Sequence, residues 1–378
     1  MEWKKYKLEE LLSYEQPTPY IVESTDYDDS YSTPVLTAGK SFIIGYTNET
    51  SGIYNQLPVI IFDDFTTSTQ YVNFHFKVKS SAMKILTANE ELILPKFIYY
   101  RMQTIEFDHS THKRYWIQQY SKIEVDVPPI DEQHRIVSRI EELFSELDNS
   151  VSTLQKTKEQ LSVYRQAVLK EAFDSVKCVD EGARVKDVCN NIKVGIVIKP
   201  TQYYVESDGV KAFRNANVRR NYVDDDNWAL ISKEGHEKNK KSIVHTDDLV
   251  IARSGANLGM AAVVPEKCDG FNAIDIVIAE LNLKVIDPHY LAYYVNSPYG
   301  LHVVNEYQHG GAQGHLNVKE FGLLPLILAP LAEQKSVVTE IESRLSVCDS
   351  IEQTVDIALQ QAEAMRQSIL KQAFEGRL

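Results

Sequence analysis

At 378 residues the chain is too long for one ordinary hydrophobic core, which stops growing at about 250–300 residues, so several cores are expected. With 43% hydrophobic and 25% charged residues it is not a disordered chain and should fold. A net charge of −13 weighs against DNA binding by the chain as a whole, because phosphate neutralisation by Lys and Arg normally dominates such affinity; only local basic faces on an acidic body stay open.

The start, Met1-Glu2-Trp3-Lys4-Lys5-Tyr6-Lys7, runs into polar sequence without an apolar signal core, and no segment approaches the roughly 18 unbroken apolar residues of a membrane span. The expectation is a cytoplasmic chain, neither exported nor membrane-embedded. Cys178, Cys189, Cys268 and Cys348 are scattered with no CxxC pair, which argues against a disulfide framework or a thiolate zinc site. The ten histidines form no H-x-x-x-H pair, so no bound metal is expected.

Residues 1–128 read as a first globular domain. The runs Ser41-Phe42-Ile43-Ile44-Gly45-Tyr46 and Pro58-Val59-Ile60-Ile61-Phe62, bounded by Thr, Asn, Asp and Gly, predict strands and turns. Pro95-Lys96-Phe97-Ile98-Tyr99-Tyr100 predicts a short helix opened by proline. Residues 129–175 predict one long helix, rich in Glu, Gln, Lys, Leu and Ala, with no Pro or Gly after its opening proline. Its apolar residues Ile136, Ile140, Leu143, Leu147, Val151, Leu154, Leu161, Val168 and Ala172 recur in steps of three, four and seven, which gives one face.

Residues 176–328 read as a second globule, with strands expected at Asp248-Leu249-Val250-Ile251-Ala252-Arg253 and Ala261-Ala262-Val263-Val264. Pro288-His289-Tyr290-Leu291-Ala292-Tyr293 echoes the first short helix at an offset of 193. Residues 329–378 predict a second long helix with its stripe at Val337, Ile341, Cys348, Val355, Ala362, Met365 and Ile369. A helix of about 44 residues spans about 66 Å and must bury such a stripe to be stable, and the obvious partner is the other copy.

The two long helices are an internal repeat. Residues 129–175 align without a gap on 330–376 at an offset of 201, with sixteen of 47 pairs identical, far above what shared composition supplies. Pro129-Ile130-Asp131-Glu132-Gln133 matches Pro330-Leu331-Ala332-Glu333-Gln334, and Arg165-Gln166-Ala167-Val168-Leu169-Lys170-Glu171-Ala172-Phe173 matches Arg366-Gln367-Ser368-Ile369-Leu370-Lys371-Gln372-Ala373-Phe374. The order globule, helix, globule, helix, with these motifs opening and closing each helix, resembles the specificity subunit of type I restriction-modification enzymes. Asp247 to Gly255, the loop Gly310-Gly311-Ala312-Gln313-Gly314-His315-Leu316-Asn317 and the terminal Ala373-Phe374-Glu375-Gly376-Arg377-Leu378 add to the likeness. In the first globule His112-Lys113-Arg114-Tyr115-Trp116 stands where that loop is looked for.

The resemblance implies an α+β fold: two globular mixed α/β target-recognition domains, 1–128 and 176–328, separated by two long antiparallel helices, 129–175 and 329–378, that form a coiled coil with a pseudo-twofold internal repeat. Its seam is expected at Ile140, Leu147, Leu154, Leu161 and Val168 and at Ile341, Cys348, Val355, Ala362 and Ile369. Each globule would read one half of a bipartite, asymmetric site on double-stranded DNA, and the helices would set the spacing and dock two modification subunits. A stiff spacer of this length can place the globules about one DNA turn apart, roughly 34–36 Å between half-site centres. S-adenosylmethionine, ATP and Mg²⁺ would belong to the modification and restriction (motor-nuclease) subunits, and this chain would bind no cofactor.

Arg or Lys suits guanine, Asn or Gln suits adenine, and Lys, Arg, Ser and Thr suit phosphate. On that chemistry the first globule offers Thr66, Thr67, Ser68, Gln70, Lys77, Lys79, Lys113, Arg114 and Tyr115. The second offers Arg214, Asn215, Asn217, Arg219, Arg220, Lys238, Lys240, Lys241, Arg253, Asn257, Gln313 and His315.

Catalytic readings fare worse. Asp131-Glu132-Gln133-His134 looks like a helicase box, but no G-x-x-x-x-G-K loop followed by Ser or Thr exists to cradle phosphates, and the repeat replaces Asp131 and His134 by Ala332 and Lys335. Glu132 and Glu333 instead suit the positive end of a helix dipole. A methyltransferase would need a Gly-rich cofactor turn and an Asn/Asp-Pro-Pro-aromatic string, and Val127-Pro128-Pro129-Ile130 lacks both ends of the latter. Ser254 lacks a nucleophile elbow. A coiled-coil scaffold with protein-binding globules is the alternative that the acidic charge suggests.

Overall fold

The computed structural model describes residues 3–37, 41–109, 113–180, 182–302 and 315–378. The chain divides into two compact units, Met1–Gln155 with Asp356–Leu378, and Lys156–Val355.

In the first unit the strands are β1 (Lys4–Lys7), β2 (Leu12–Glu15), β3 (Thr33–Leu36), β4 (Ile43–Thr47), β5 (Val59–Asp63), β6 (Thr69–Val72), β7 (Lys77–Val78), β8 (Met83–Ala88) and β9 (Glu124–Val127). An antiparallel sheet runs β2-β8-β5-β6, a second sheet runs β4-β3-β7 with β3 and β7 parallel, and β1 pairs with β9. All of β5 is buried, as a strand with neighbours on both sides and cover on both faces must be. Its alternation sorts two cores: Ile60 and Phe62 join Phe97, Trp116 and Tyr120, whereas Val59 and Ile61 join Tyr54, Val72 and Phe76. The first of these cores also takes Ile136, Ile140 and Phe144 from the start of the first long helix and Ile369, Leu370 and Ala373 from the end of the second.

The second unit repeats the plan with β10 (Cys189–Val194), β11 (Val210–Phe213), β12 (Ala229–Ile231), β13 (Leu249–Ala252), β14 (Ala261–Val263), β15 (Asn272–Ala273) and β16 (Ile276–Leu281). The sheets run β10-β16-β13-β14 and β12-β11-β15, again with the last pair parallel. Leu249 and Ile251 face one core and Val250 and Ala252 the other. Phe173, from the end of the first long helix, sits 5.2 Å from the rings of both Tyr290 and Tyr294, and Val337, Val338 and Ile341 of the second long helix share that core.

Both repeats form unbroken helices, Ile130–Asp174 and Leu331–Phe374. Of the ten seam positions nine are buried and Leu154 is half-buried. Met365, expected in the stripe, is instead 54% exposed, and its repeat counterpart Tyr164 is 46% exposed. Only positions seven apart stay covered along this stretch, so a residue three past Ala362 turns to solvent. In the first unit Asp148 pairs with Arg366; in the second Asp349 lies 2.7 Å from Arg165, the same pair at the repeat offset.

Two buried glutamines explain why the motif carries Gln. Gln133 accepts from the Leu94 N–H at 2.8 Å and donates to the carbonyls of Leu92 (3.0 Å) and Pro128 (2.9 Å). Gln334 accepts from the Asp287 N–H at 2.8 Å and donates to those of Val285 (2.9 Å) and Ala329 (2.7 Å). Each side chain ties the first turn of a long helix to the segment that enters a proline-opened short helix, Pro95–Met102 or Pro288–Asn296. The 193 offset of the short helices is also that of β8 and β16, so one duplicated block carries strand, short helix and glutamine tie.

Glu132 bonds Arg135 at 2.6 Å, and that contact is the largest of the effects holding its carboxyl below the usual range. Among the described residues no helix is long and apolar enough to cross a membrane.

In the second unit burial pushes the Asp248 carboxyl up to about 6, even though its Oδ2 accepts the His245 N–H at 2.8 Å. An acid raised in the fold contributes stability below its unfolded value of 3.8 and loses it as pH rises through about 6. Asp248→Asn should therefore gain on the wild type as pH goes from 4 to 7. A melting-temperature difference between the two that stays constant across that range would contradict this.

Candidate nucleic-acid interface

The turn between β5 and β6 is built by two aspartates. Asp63 Oδ1 accepts the N–H groups of Phe65 (2.8 Å) and Thr66 (3.1 Å), and its carbonyl accepts that of Thr67, which adopts a left-handed φ of 58°. Asp64 points inward. Its Oδ2 lies 3.3 Å from Lys84 Nζ, both side chains being almost wholly buried, and its Oδ1 accepts the Trp116 N–H at 2.8 Å. Its carbonyl takes the Tyr115 N–H at 2.9 Å. This residue therefore fastens the segment before Trp116 to the turn.

The result brings together Thr66, Thr67, Ser68, Lys113 and Arg114, all at the surface, with the Arg114 guanidinium 6.0 Å from the centre of the Phe65 ring. His109, which no sequence signal marked, joins them with Nε2 3.0 Å from Thr67 Oγ1 and 2.9 Å from the Thr66 carbonyl. Hydroxyls, an imidazole and two cations on one tip can contact phosphate and base edges. Gln70 on β6 and Lys79 after β7 are exposed as well.

Two nominations in this unit are corrected. Lys77 is 2% exposed, its ammonium 2.7 Å from Glu49 and 2.8 Å from the Ser51 carbonyl, so it braces the fold. Tyr115 is 1% exposed and packs on Phe107.

The second unit builds the same tip from different residues. Arg253 stands after β13 where Asp64 stands after β5: its carbonyl accepts the Leu316 N–H at 3.0 Å, and Leu316 is the repeat counterpart of Tyr115. The charges are reversed, Arg253 Nη1 lying 3.4 Å from Asp275 where Asp64 meets Lys84. His315 is exposed next to this link, in the position of Arg114; Gln313 lies outside the described residues.

Three asparagines nominated for adenine are engaged elsewhere. Asn215 accepts from the Arg253 N–H and donates to Ser254 Oγ and the Asp275 carbonyl. Asn217, 1% exposed, donates to the carbonyls of Asp224 and Asp226 and accepts from the Arg214 N–H. Asn257 donates to the carbonyls of Asn215 and Val218 and accepts from Arg219, whose other nitrogens hold Asp224. Asn215, Asn217, Arg219 and Asn257 thus lock the loops after β11 and β13 together, and their polar atoms are taken. Arg214 donates to the Asn227 carbonyl. Arg220 and Lys241 are exposed without an ion pair among the described residues, while Lys238 and Lys240 pair with Glu234 and Glu237 on the surface.

Residues 1–161 match the family model of the type I restriction modification DNA specificity domain. The match covers the first unit's globule and most of the first long helix. Over 181 residues it is 44% identical to the EcoR124I/EcoR124II specificity subunit of Escherichia coli, covering 45% of this chain and 44% of that one. Over 275 residues it is 24% identical to the EcoKI specificity subunit of E. coli strain K12, covering 68% and 58%. The matches thus span about half the length of these curated relatives. A chain solved for complex assembly and conformational transition of the type I R-M system superposes with a TM-score of 0.71 at 16% identity, covering 100% of this chain and 98% of that one. The HsdS subunit from Thermoanaerobacter tengcongensis gives 0.50 at 17% identity, covering 100% and 97%. At these identities the likeness is one of fold, and it extends beyond the specificity domain matched at residues 1–161.

Proposed function

We propose that the chain is the non-catalytic DNA-sequence-specificity subunit of a type I restriction-modification complex. Each globule reads one half of a split, asymmetric site, and the two long helices pair as an antiparallel coiled coil that spaces the globules and docks two modification subunits. The observation that carries this reading is one fold built twice with unlike tips. Thr66, Thr67, Ser68, Lys113 and Arg114 sit on one copy where the exposed Gly255, Ala256 and His315 sit on the other. Equal scaffolds with unequal tips suit two different half-sites on one duplex. The buried seam and the matching Asp148–Arg366 and Asp349–Arg165 pairs support the coiled coil. S-adenosylmethionine belongs to the modification subunits, and ATP and Mg²⁺ to restriction subunits, in this reading.

The test mixes the purified chain with its modification subunit and S-adenosylmethionine and measures methyl transfer to DNA. Transfer should depend on both halves of a split sequence, and affinity should fall steeply with salt. A protein-binding scaffold would give neither, and that outcome would overturn the reading.

A further inference from the structure

The two units hold one carboxylate in the same place with different company. In the first, Glu141 of the first long helix forms an ion pair with Lys96 of the short helix, and that ammonium lies 5.8 Å from the centre of the Tyr71 ring. Tyr100 borders the same carboxylate, and burial followed by Glu141 pushes its hydroxyl up to about 12. In the second unit the repeat puts Glu342 at the position of Glu141 and Tyr293 at that of Tyr100. Burial followed by Glu342 and Asp349 pushes Tyr293 up to about 12 as well. The cation is missing, and so is the ring beside it, since strand pairing puts Val263 at the position of Tyr71. The position of Lys96 is taken by His289, exposed on its helix, and no ion pair among the described residues engages Glu342.

Glu342 opens instead on a cleft of about 540 Å³, bordered by Tyr293, Tyr222, Arg165, Asp349 and Arg220. Arg165 is already neutralised by Asp349 and Glu352 at 2.7 and 2.8 Å. The rim is fixed, since Asn221 donates its N–H to the Ala261 carbonyl and accepts from the fully buried Asn296 at 2.7 Å. Glu342 and Tyr222 stand exposed at the mouth of the cleft and the buried Tyr293 lines it, so a cation brought there by a partner meets a carboxylate beside aromatic rings, and the partner's own surface would exclude the water that weakens exposed ion pairs.

We propose that this cleft receives a lysine or arginine side chain of a partner subunit, whose cation takes beside Glu342 the place that Lys96 fills beside Glu141. The inference rests on the reading above, in which the partner is the modification subunit. The full chain is titrated calorimetrically with purified modification subunit, each variant's melting being checked first. Glu342→Gln should raise Kd about tenfold and Glu342→Lys further, more so at low salt. Glu141→Gln, whose cation the chain itself supplies, should stay within about twofold, and Arg220→Ala should not weaken binding. A wild-type complex that Glu342→Gln leaves unchanged, or that Glu141→Gln weakens equally, overturns this inference alone. Should the wild type form no complex, the proposed function falls with it.

Discussion

Gln334→Leu is expected to destabilise the second unit by roughly 3–5 kcal/mol, because a buried unpaired backbone group costs about 1–3 kcal/mol and the change orphans three. The Asp287 N–H and the carbonyls of Val285 and Ala329 lose their partner around a side chain that is 0% exposed. Leucine fills the volume but makes none of these bonds. For a unit of this size the melting transition should fall by about 10 °C. Gln133→Leu should do the same to the first unit through Leu94, Leu92 and Pro128. Gln361→Leu, exposed on the same helix as Gln334, is the control and should change stability by less than about 0.5 kcal/mol. Equal melting of the Gln334 and Gln361 variants would show that the tie is dispensable.

Asp64→Asn should cost about 3–5 kcal/mol, because it leaves the Lys84 ammonium buried without a counter-charge. The amide oxygen can still accept the Trp116 N–H, so the loss reports the charge and not the loop bond. Adding Lys84→Met removes the stranded charge, and the double variant should recover most of the stability. Urea unfolding of the wild type, the two single variants and the double variant gives the coupling. Strictly additive effects would mean that the pair does not interact. The pair itself is a poor source of stability; what it specifies is the seating of the loop before Trp116 on the β5–β6 turn.

The long helices were legible because a helix with one covered face must repeat its apolar step, and the duplicated ends marked their bounds. The proline-opened short helices and the β5 and β13 strands followed from equally local signals. What escaped was the long-range pairing of polar groups. Gln133 and Gln334 stood out as matched letters, but two of the three partners of each lie 39 and 41 or 47 and 49 residues upstream, and nothing local names those. Lys77 was put forward because lysine suits phosphate, but it is buried against Glu49 of another loop. Asn215, Asn217 and Asn257 have the right chemistry for adenine, yet the same amides serve loop backbones equally well. His109 gave no signal at all: a lone histidine acquires a role only when folding sets it against Thr67. Conversely, Lys113, Arg114 and His315 were nominated as short strings and the fold places them at equivalent points of two tips.

The central claim is that the two tips read two half-sites independently. The direct measurement is the methylation motif of the reconstituted complex, mapped for wild type and for a variant carrying Thr66→Ala, Lys113→Ala and Arg114→Ala. The account predicts relaxed or weakened selection in one half of the motif, with the other half and the spacing unchanged. Loss of selection in both halves together, or none in either, would contradict it.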